Sequence, residues 1–404
     1  DYYELVLKVI SELKDTNLYG LPLTNELWYE IDDCQDYDIV KAMFAPSTHE
    51  RLELFHKRFG GYWRFGNIKD YCYLVNPYFP TEAMINKMKY FYDKLLFNYP
   101  SGQSIERICA CRMFDNVSDD NILIGNGAAE LINNLKYIVG KKIALTIPSF
   151  NEYVRCFPNS EITYINSKDD NYRLSLNKLK ETLNKVDTLI VISPDNPSGS
   201  HLKYGEVIEL LDMAKEMDKQ VIFDESFIDF ANDSYTLIND DILNKYPNLI
   251  VIKSISKSYG VPGLRLGVLA SGNYEYLDII NRNMPVWNIN SFAEYFLQIF
   301  LIYKKDYVYG CSKIKEERNR FYNELIKISE LDVYDSEANY FMIKLNKSTA
   351  NEIAEYLLDN NKILIKVLNG KNGFDDKEYI RIAVKTKEEN DYFIQSIKEY
   401  YDKK

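Results

Sequence analysis

The sequence predicts an α/β protein: a mostly parallel sheet sandwiched between helices, followed by a smaller α/β unit toward the C-terminus. Three observations predict it. Between about residues 119 and 271, short runs rich in Val and Ile alternate with longer helical patterns. The runs carry few charges, as strands buried on both faces do. Small, polar or charged residues follow the runs, at the carboxyl ends where open α/β sheets bind ligands.

In chain order, NILIG precedes the helical AAELINNLKYIV, KKIALTIP precedes NEYVRCF, and TLIVIS precedes YGEVIELLDMAKEMD. QVIFDES, LIVIKSIS and RLGVLAS follow as further strands. One long helical pattern occupies residues 292 to 329, with a bend or break expected near Gly310 because glycine weakens a helix interior. The remainder is expected to form a small α/β unit with strands near YFMIKL and YIRIAV. The expected division is an N-terminal extension (1–55), an arm and small-domain segment (56–98), a large cofactor-binding domain (99–292) and a small domain with its linking helix (293–404).

With 404 residues, 46% of them hydrophobic, the chain can bury a sizeable core in two or three structural units. A net charge of −11 disfavours nucleic acid or an anionic membrane as the main partner. The six cysteines include no CxxC pair and fit no disulfide framework, which points to reduced thiols and a cytoplasmic location. Three histidines leave little material for a zinc site or a Ser–His–Asp triad, and no metal is expected. No apolar run reaches the ~18 residues of a membrane span, and no signal peptide is visible. The sequence opens on Asp1 in a helical pattern, and a longer parent protein is expected.

The strand ends carry the chemistry. Lys257 follows the apolar run VIKSIS, and partial burial there favours a nucleophilic free amine that can condense with an aldehyde. Ser254, Ser256 and Arg265 suit a phosphate, with two hydroxyls and a guanidinium fork. An aldehyde and a phosphate on one cofactor describe pyridoxal 5′-phosphate. Asp224, at the end of VIF, needs a cationic partner, and a pyridinium nitrogen would serve. Asn196 sits in the rigid turn SPDNPSG, where a fixed amide can meet a ring oxygen; ordinary turn chemistry is the alternative. Gly125-Asn126-Gly127-Ala128 opens a helix, so backbone N–H groups can approach a phosphate. The third glycine of a dinucleotide fingerprint is missing, since Glu130 stands there, and no P-loop lysine follows.

Together SPDNPSG, VIFDESFIDF, SISKSYGVPGLRLG, ANYFMIKL and YIRIAVKTKEEN resemble the class I and II aminotransferases, the fold type I pyridoxal-phosphate enzymes, over about residues 70 to 400. The subgroup they most resemble is that of histidinol-phosphate aminotransferase and threonine-phosphate decarboxylase. The resemblance implies that Lys257 binds the cofactor aldehyde and then shuttles a proton, that Asp224 pairs with the ring nitrogen, and that Asn196 meets the ring oxygen. Gly127, Ala128, Ser254, Ser256 and Arg265 would hold the phosphate, and Phe150 would stack on the ring. Arg381 would clamp the substrate carboxylate, Asn339 would also touch it, and Asn76 lies in an arm that crosses the site. Tyr99 matches a tyrosine that reaches the phosphate of the partner subunit, which implies a homodimer.

Phe227 departs from the family pattern, which often has tyrosine there. Losing that phenol should raise the pKa of the cofactor imine, and the string DESFIDF is more like threonine-phosphate decarboxylase. Residues 18 to 44 resemble the end of a nucleotidyltransferase domain, with Asp32, Asp33 and Asp36 as its acids; an acidic extension is the alternative. The expectation is the C-terminal part of a two-activity fusion that does not itself transfer nucleotides. Such a fusion suggests a phosphonate- or phosphate-bearing amino acid as substrate. Lys57, Arg58, Lys69 and above all Arg64 are its candidate phosphoryl partners, a basic surface turn being the alternative. The leading expectation is amino transfer between an amino acid and a 2-oxo acid, with decarboxylation as the runner-up. A non-catalytic binding module and a nucleotide-dependent enzyme are the other classes.

Overall fold

The Val- and Ile-rich runs become strands of one sheet. The computed structural model describes residues 2–13, 16–22, 27–58, 60–374 and 378–404. The chain divides into two compact units, Asp1–Gly66 and Asn67–Lys404. In the second unit, β1 (Ile122–Asn126), β2 (Lys142–Ile147), β3 (Glu161–Asn166), β4 (Thr188–Ile192), β5 (Gln220–Asp224), β6 (Leu249–Ser254) and β7 (Leu266–Ala270) lie in the order β1-β7-β6-β5-β4-β2-β3. Every neighbouring pair is parallel except the two made by β7. Every residue of β4, β5 and β6 is buried. Helices therefore cover both faces, and the strands need no polar alternation. Sequence reasoning missed β3 because it is an edge strand in which only Ile165 is buried.

The second sheet comprises β8 (Leu331–Val333), β9 (Tyr340–Leu345), β10 (Lys366–Val367) and β11 (Tyr379–Ala383), antiparallel in the order β10-β11-β9-β8. Helices Ala350–Asn361 and Lys387–Asp402 belong to this region. Each starts with a threonine capping box, Thr349 with Glu352 and Thr386 with Glu389. Lys69 and Asp70 pair in parallel with Ile363 and Leu364 and tie the arm to this region.

The long helical pattern does not break at Gly310. Helix Ser291–Ile299 passes through a tighter turn, Phe300–Tyr303, into helix Lys304–Leu325, and Gly310 lies inside the last. Its missing side chain permits close packing on the arm. A Cβ there would lie 3.2 Å from Phe79 Cβ and 3.3 Å from Asn76 Nδ2.

The first unit holds helices Tyr2–Ser11, Cys34–Met43 and Thr48–His56. Ile39, Ala42, Leu52, Phe55, Tyr62 and Phe65 are its buried apolar residues. Of the stretch likened to a nucleotidyltransferase, residues 23–26 lie outside the described residues. The carboxylates of Asp33 and Asp36 are engaged locally. Asp33 accepts from the Gln35 and Asp36 amides, and Asp36 Oδ2 accepts from the Asp32 and Asp33 amides, which caps helix Cys34–Met43. Among the described residues no helix is long and apolar enough to cross a membrane.

Candidate active site

Four strands of the large sheet, β1, β4, β5 and β6, end around one cavity. Ala128, Phe150, Asn196, Asp224, Ser254, Ser256, Lys257 and Arg265 line it, with Ile132, Ile192, Ser226 and Phe227 among the other walls. Residues distant in sequence thus converge because β1, β4, β5 and β6 run the same way and end on the same side of the sheet, with Phe150 after β2 and Arg265 before β7 closing the wall.

At the end of β1, Gly127 takes φ +76°, and a Cβ there would lie 2.4 Å from Arg265 Nη2. Only glycine meets both demands cheaply. Gly267 of β7 backs onto the same turn, where a Cβ would lie 2.4 Å from the Ala128 amide nitrogen. The turn leads into helix Ala128–Asn134 and lies against the Arg265 guanidinium, leaving the first amides of the helix without intrahelical partners.

At the end of β5, Asp224 is 4% exposed. Its Oδ2 accepts from Tyr153 Oη at 2.8 Å and its Oδ1 from the Ser226 amide at 2.9 Å. Burial nevertheless holds this carboxyl above its ordinary value, against the opposing pull of Ser226, Tyr153 and Lys253. A buried acid in that condition gains from a cation brought by a ligand.

Lys257 follows β6 in the short helix Ile255–Ser258. It has no ion-pair partner among the described residues. Burial first, then Arg381 and Arg265, bring its ammonium down to about 8, with Asp224 opposing. The turn is held from behind. The Asn76 amide donates to Lys257 O at 3.0 Å, Asn76 Nδ2 to Ser258 O at 2.9 Å, and Tyr78 N to Asn76 Oδ1 at 2.9 Å. Asn76 thus supports the lysine turn with its own polar atoms. Nearby, Ser256 Oγ is buried without a partner.

At the end of β4, Asn196 Oδ1 accepts from Arg381 Nη1 at 2.7 Å. Arg381 Nη2 donates to Cys72 O at 2.8 Å, and its Nε is buried without a partner. Its guanidinium has no carboxylate partner among the described residues. Asn339 is fully buried, and neither side-chain polar atom has a partner. Tyr99 is 77% exposed, stacked 4.2 Å from Trp287, and shares a surface cleft with Asn126. Arg64 belongs to the first unit, in a turn at Tyr62–Arg64 with its guanidinium 5.2 Å from the Trp63 ring.

The cavity fits pyridoxal 5′-phosphate. An anion is matched by the Gly127 turn, the orphaned Ser256 hydroxyl and Arg265. A ring cation is matched by Asp224, and an aldehyde by the unpaired amine of Lys257. Sequence reasoning missed Tyr153, Ser226 and the Cys72 carbonyl. Only a through-space partner marks them, and no local motif does.

Residues 71–397 match the family model of the class I and II aminotransferases. The chain is 34% identical over 356 residues to an L-serine phosphate decarboxylase from Campylobacter jejuni, covering 82% of this chain and 88% of that one. It is 28% identical to a CMP-5′-(3-aminopropyl)phosphonate synthase from Streptomyces rubellomurinus over 92% of this chain, and spans only 59% of that protein's length. A solved histidinol-phosphate aminotransferase from Clostridium acetobutylicum superposes with a TM-score of 0.74 at 26% identity, covering 83% of this chain and 99% of that one.

Proposed function

The chain belongs to the class I and II aminotransferases, a pyridoxal-phosphate-dependent family, and from that premise we propose that it removes the α-carboxylate of a phosphoryl-bearing amino acid. The observation that carries the proposal is Lys257. A buried amine, free of any ion pair among the described residues and held near 8, stands in one cavity with Asp224 and Arg265. When bound, pyridoxal 5′-phosphate supplies an aldehyde that takes up the substrate amine and a ring that accepts the electron pair of a bond broken at the neighbouring carbon.

The chain's residues supply the rest. Asp224, oriented by Tyr153 and Ser226, would keep a proton on the ring nitrogen. Asn196 would meet the ring oxygen and at the same time hold Arg381 in place. The Gly127–Ala128 turn, Ser254, Ser256 and Arg265 would anchor the phosphate. Phe150 would cover the ring face. Arg381 and Asn339 would orient the substrate, so that the bond to the carboxylate is the one aligned for cleavage. The Cα–carboxylate bond would break with release of carbon dioxide, and Lys257 Nζ would deliver a proton to Cα in place of the carboxylate.

Decarboxylation is placed ahead of amino transfer on two grounds. The serine-phosphate decarboxylase is similar across 88% of its length at 34% identity. The aminopropylphosphonate of the Streptomyces enzyme's name is an amine without a carboxylate on its carbon. Phe227 fits the same choice, since the phenol common in the family is missing. Amino transfer is the second reading, favoured by the likeness to the histidinol-phosphate enzyme.

Incubating the enzyme with O-phosphoserine and with amino-acid phosphonates, with and without 2-oxoglutarate, separates the two. Carbon dioxide and an amine in equal amounts, independent of the oxo acid, are expected. A 2-oxo product together with glutamate would establish amino transfer instead. A homodimer is part of the proposal, since Tyr99 and Trp287 present an aromatic surface beside Asn126.

A further inference from the structure

Three cations meet where the small sheet approaches the cavity, and none has a carboxylate ion-pair partner among the described residues. Arg381 and Lys366 are direct cross-strand neighbours on β11 and β10. Their side chains therefore leave the sheet on the same face. Lys371 follows on the connection between those strands, and its Nζ donates to the carbonyl of Ser149, the residue before Phe150. Residues 368–374 of that connection are held in place. Leu368 N donates to Tyr379 O at 3.0 Å and Phe374 N to Lys371 O at 3.1 Å. Gly373, at φ +95°, packs so closely that a Cβ would lie 2.7 Å from Pro148 N.

The three charges act on one another. Burial brings Lys371 down to about 7, with Arg381 and Lys366 adding to the effect and Asp195 opposing it. Lys366 is lowered by burial and by Arg381, with Cys72 opposing. Asp195, which opposes the lowering of Lys371, accepts from Ser198 Oγ at 2.7 Å through Oδ2, and its Oδ1 is buried without a hydrogen-bond partner. Three half-buried or buried cations without paired anions are unfavourable unless a ligand brings the charge. An α-carboxylate brings one negative charge, and a phosphoryl group brings about 1.5 to 2 more.

We propose that Lys371 is a specificity-determining residue, its ammonium holding the phosphoryl group at the far end of an amino-acid substrate whose carboxylate meets Arg381. One of its three N–H donors is set by Ser149 O, which aims the ammonium and leaves two for phosphoryl oxygens. The inference rests on the pyridoxal-phosphate reading of the cavity, and holds whether carbon dioxide or the amino group is lost. It moves the phosphoryl contact from Arg64, in the first unit, to a residue beside Arg381.

The test uses holoenzyme of the wild type, Lys371→Met and Lys371→Arg, with the visible cofactor band as the check on the site. Methylphosphonate binding is measured by calorimetry, and KM and kcat with O-phosphoserine. For loss of a charge-assisted hydrogen bond, Lys371→Met should weaken methylphosphonate and raise KM by about 10- to 100-fold while kcat moves much less. Lys371→Arg should recover most of the binding. Equal methylphosphonate affinity in wild type and Lys371→Met, or none in the wild type, overturns the assignment even if the cofactor band is intact. A missing cofactor band would instead sink the reading of the cavity, and the methylphosphonate comparison would still decide the role of Lys371.

Discussion

Lys253 and Lys257 stand four residues apart and share the interior of the same unit, yet they are opposite in kind. Lys253 is 1% exposed on β6. Its ammonium lies 2.9 Å from Asp229 Oδ2 and 3.5 Å from Glu225 Oε1. Burial pushes it down, but Asp229 and Glu225 more than reverse that and leave it above its ordinary value. Lys257 faces the cavity, where burial, Arg381 and Arg265 lower it to about 8. The adjacent acids divide in the same way. Glu225 turns to Lys253, Thr236 and the Leu237 amide, whereas Asp224 turns to Tyr153, Ser226 and the cavity. One lysine–acid set satisfies itself and stabilises the fold. The other is kept unsatisfied, and that makes it available for chemistry.

The largest test of the contrast is Lys257→Ala. Turnover should fall by about 10⁴-fold or more, with loss of the visible cofactor band and no loss of fold. Lys253→Met should do the reverse. It strands Glu225 and Asp229 without their cation and should remove about 3–5 kcal/mol of unfolding free energy, measured by urea denaturation. Comparable destabilisation by both substitutions would erase the distinction.

The pH dependence of the cofactor-free protein sharpens it further. Lys257 has a folded pKa near 8 against 10.5 for the ordinary side chain. Below pH 8 the buried ammonium is retained against its preference, so its penalty is complete there. Between 8 and 10.5 the unfolded chain binds the extra proton, and stability recovers as pH rises. Lys257→Met should therefore be more stable than wild type by about 3 kcal/mol at pH 7, and the gap should close by about pH 10.5. A gap independent of pH would mean that the lysine is not desolvated. The smallest effect expected is that of Phe227→Tyr. Restoring a phenol beside Asp224 should lower the titration midpoint of the visible cofactor band by about one unit. An unmoved midpoint would show that position 227 does not reach the ring oxygen.

Much of the site was legible beforehand. Asn196, Asp224, Ser254, Ser256 and Lys257 each follow or end an apolar run, Arg265 stands just before one, and each turns up in the cavity wall. They were readable because strand ends and tight turns are written in short local patterns, with Val and Ile before and Gly or Pro after. Edge strand β3 escaped because an edge exposes its residues and leaves no apolar run. Gly310 was misjudged because helix propensity is local, whereas its value lies in contact with Phe79 and Asn76, more than two hundred residues away in sequence.

The sequence by itself determined the alternation of strands and helices, the order of the strand-end residues and hence the family to which the chain belongs. Backbone propensity and turn chemistry act over a few residues, so they survive in a linear string. Tertiary structure alone decided which buried lysine is free and which is paired, which acid looks into the cavity, and that Lys366, Lys371 and Arg381 come together. Those outcomes depend on charge and burial acting through space, and the groups responsible are brought together only by the strand order of the two sheets.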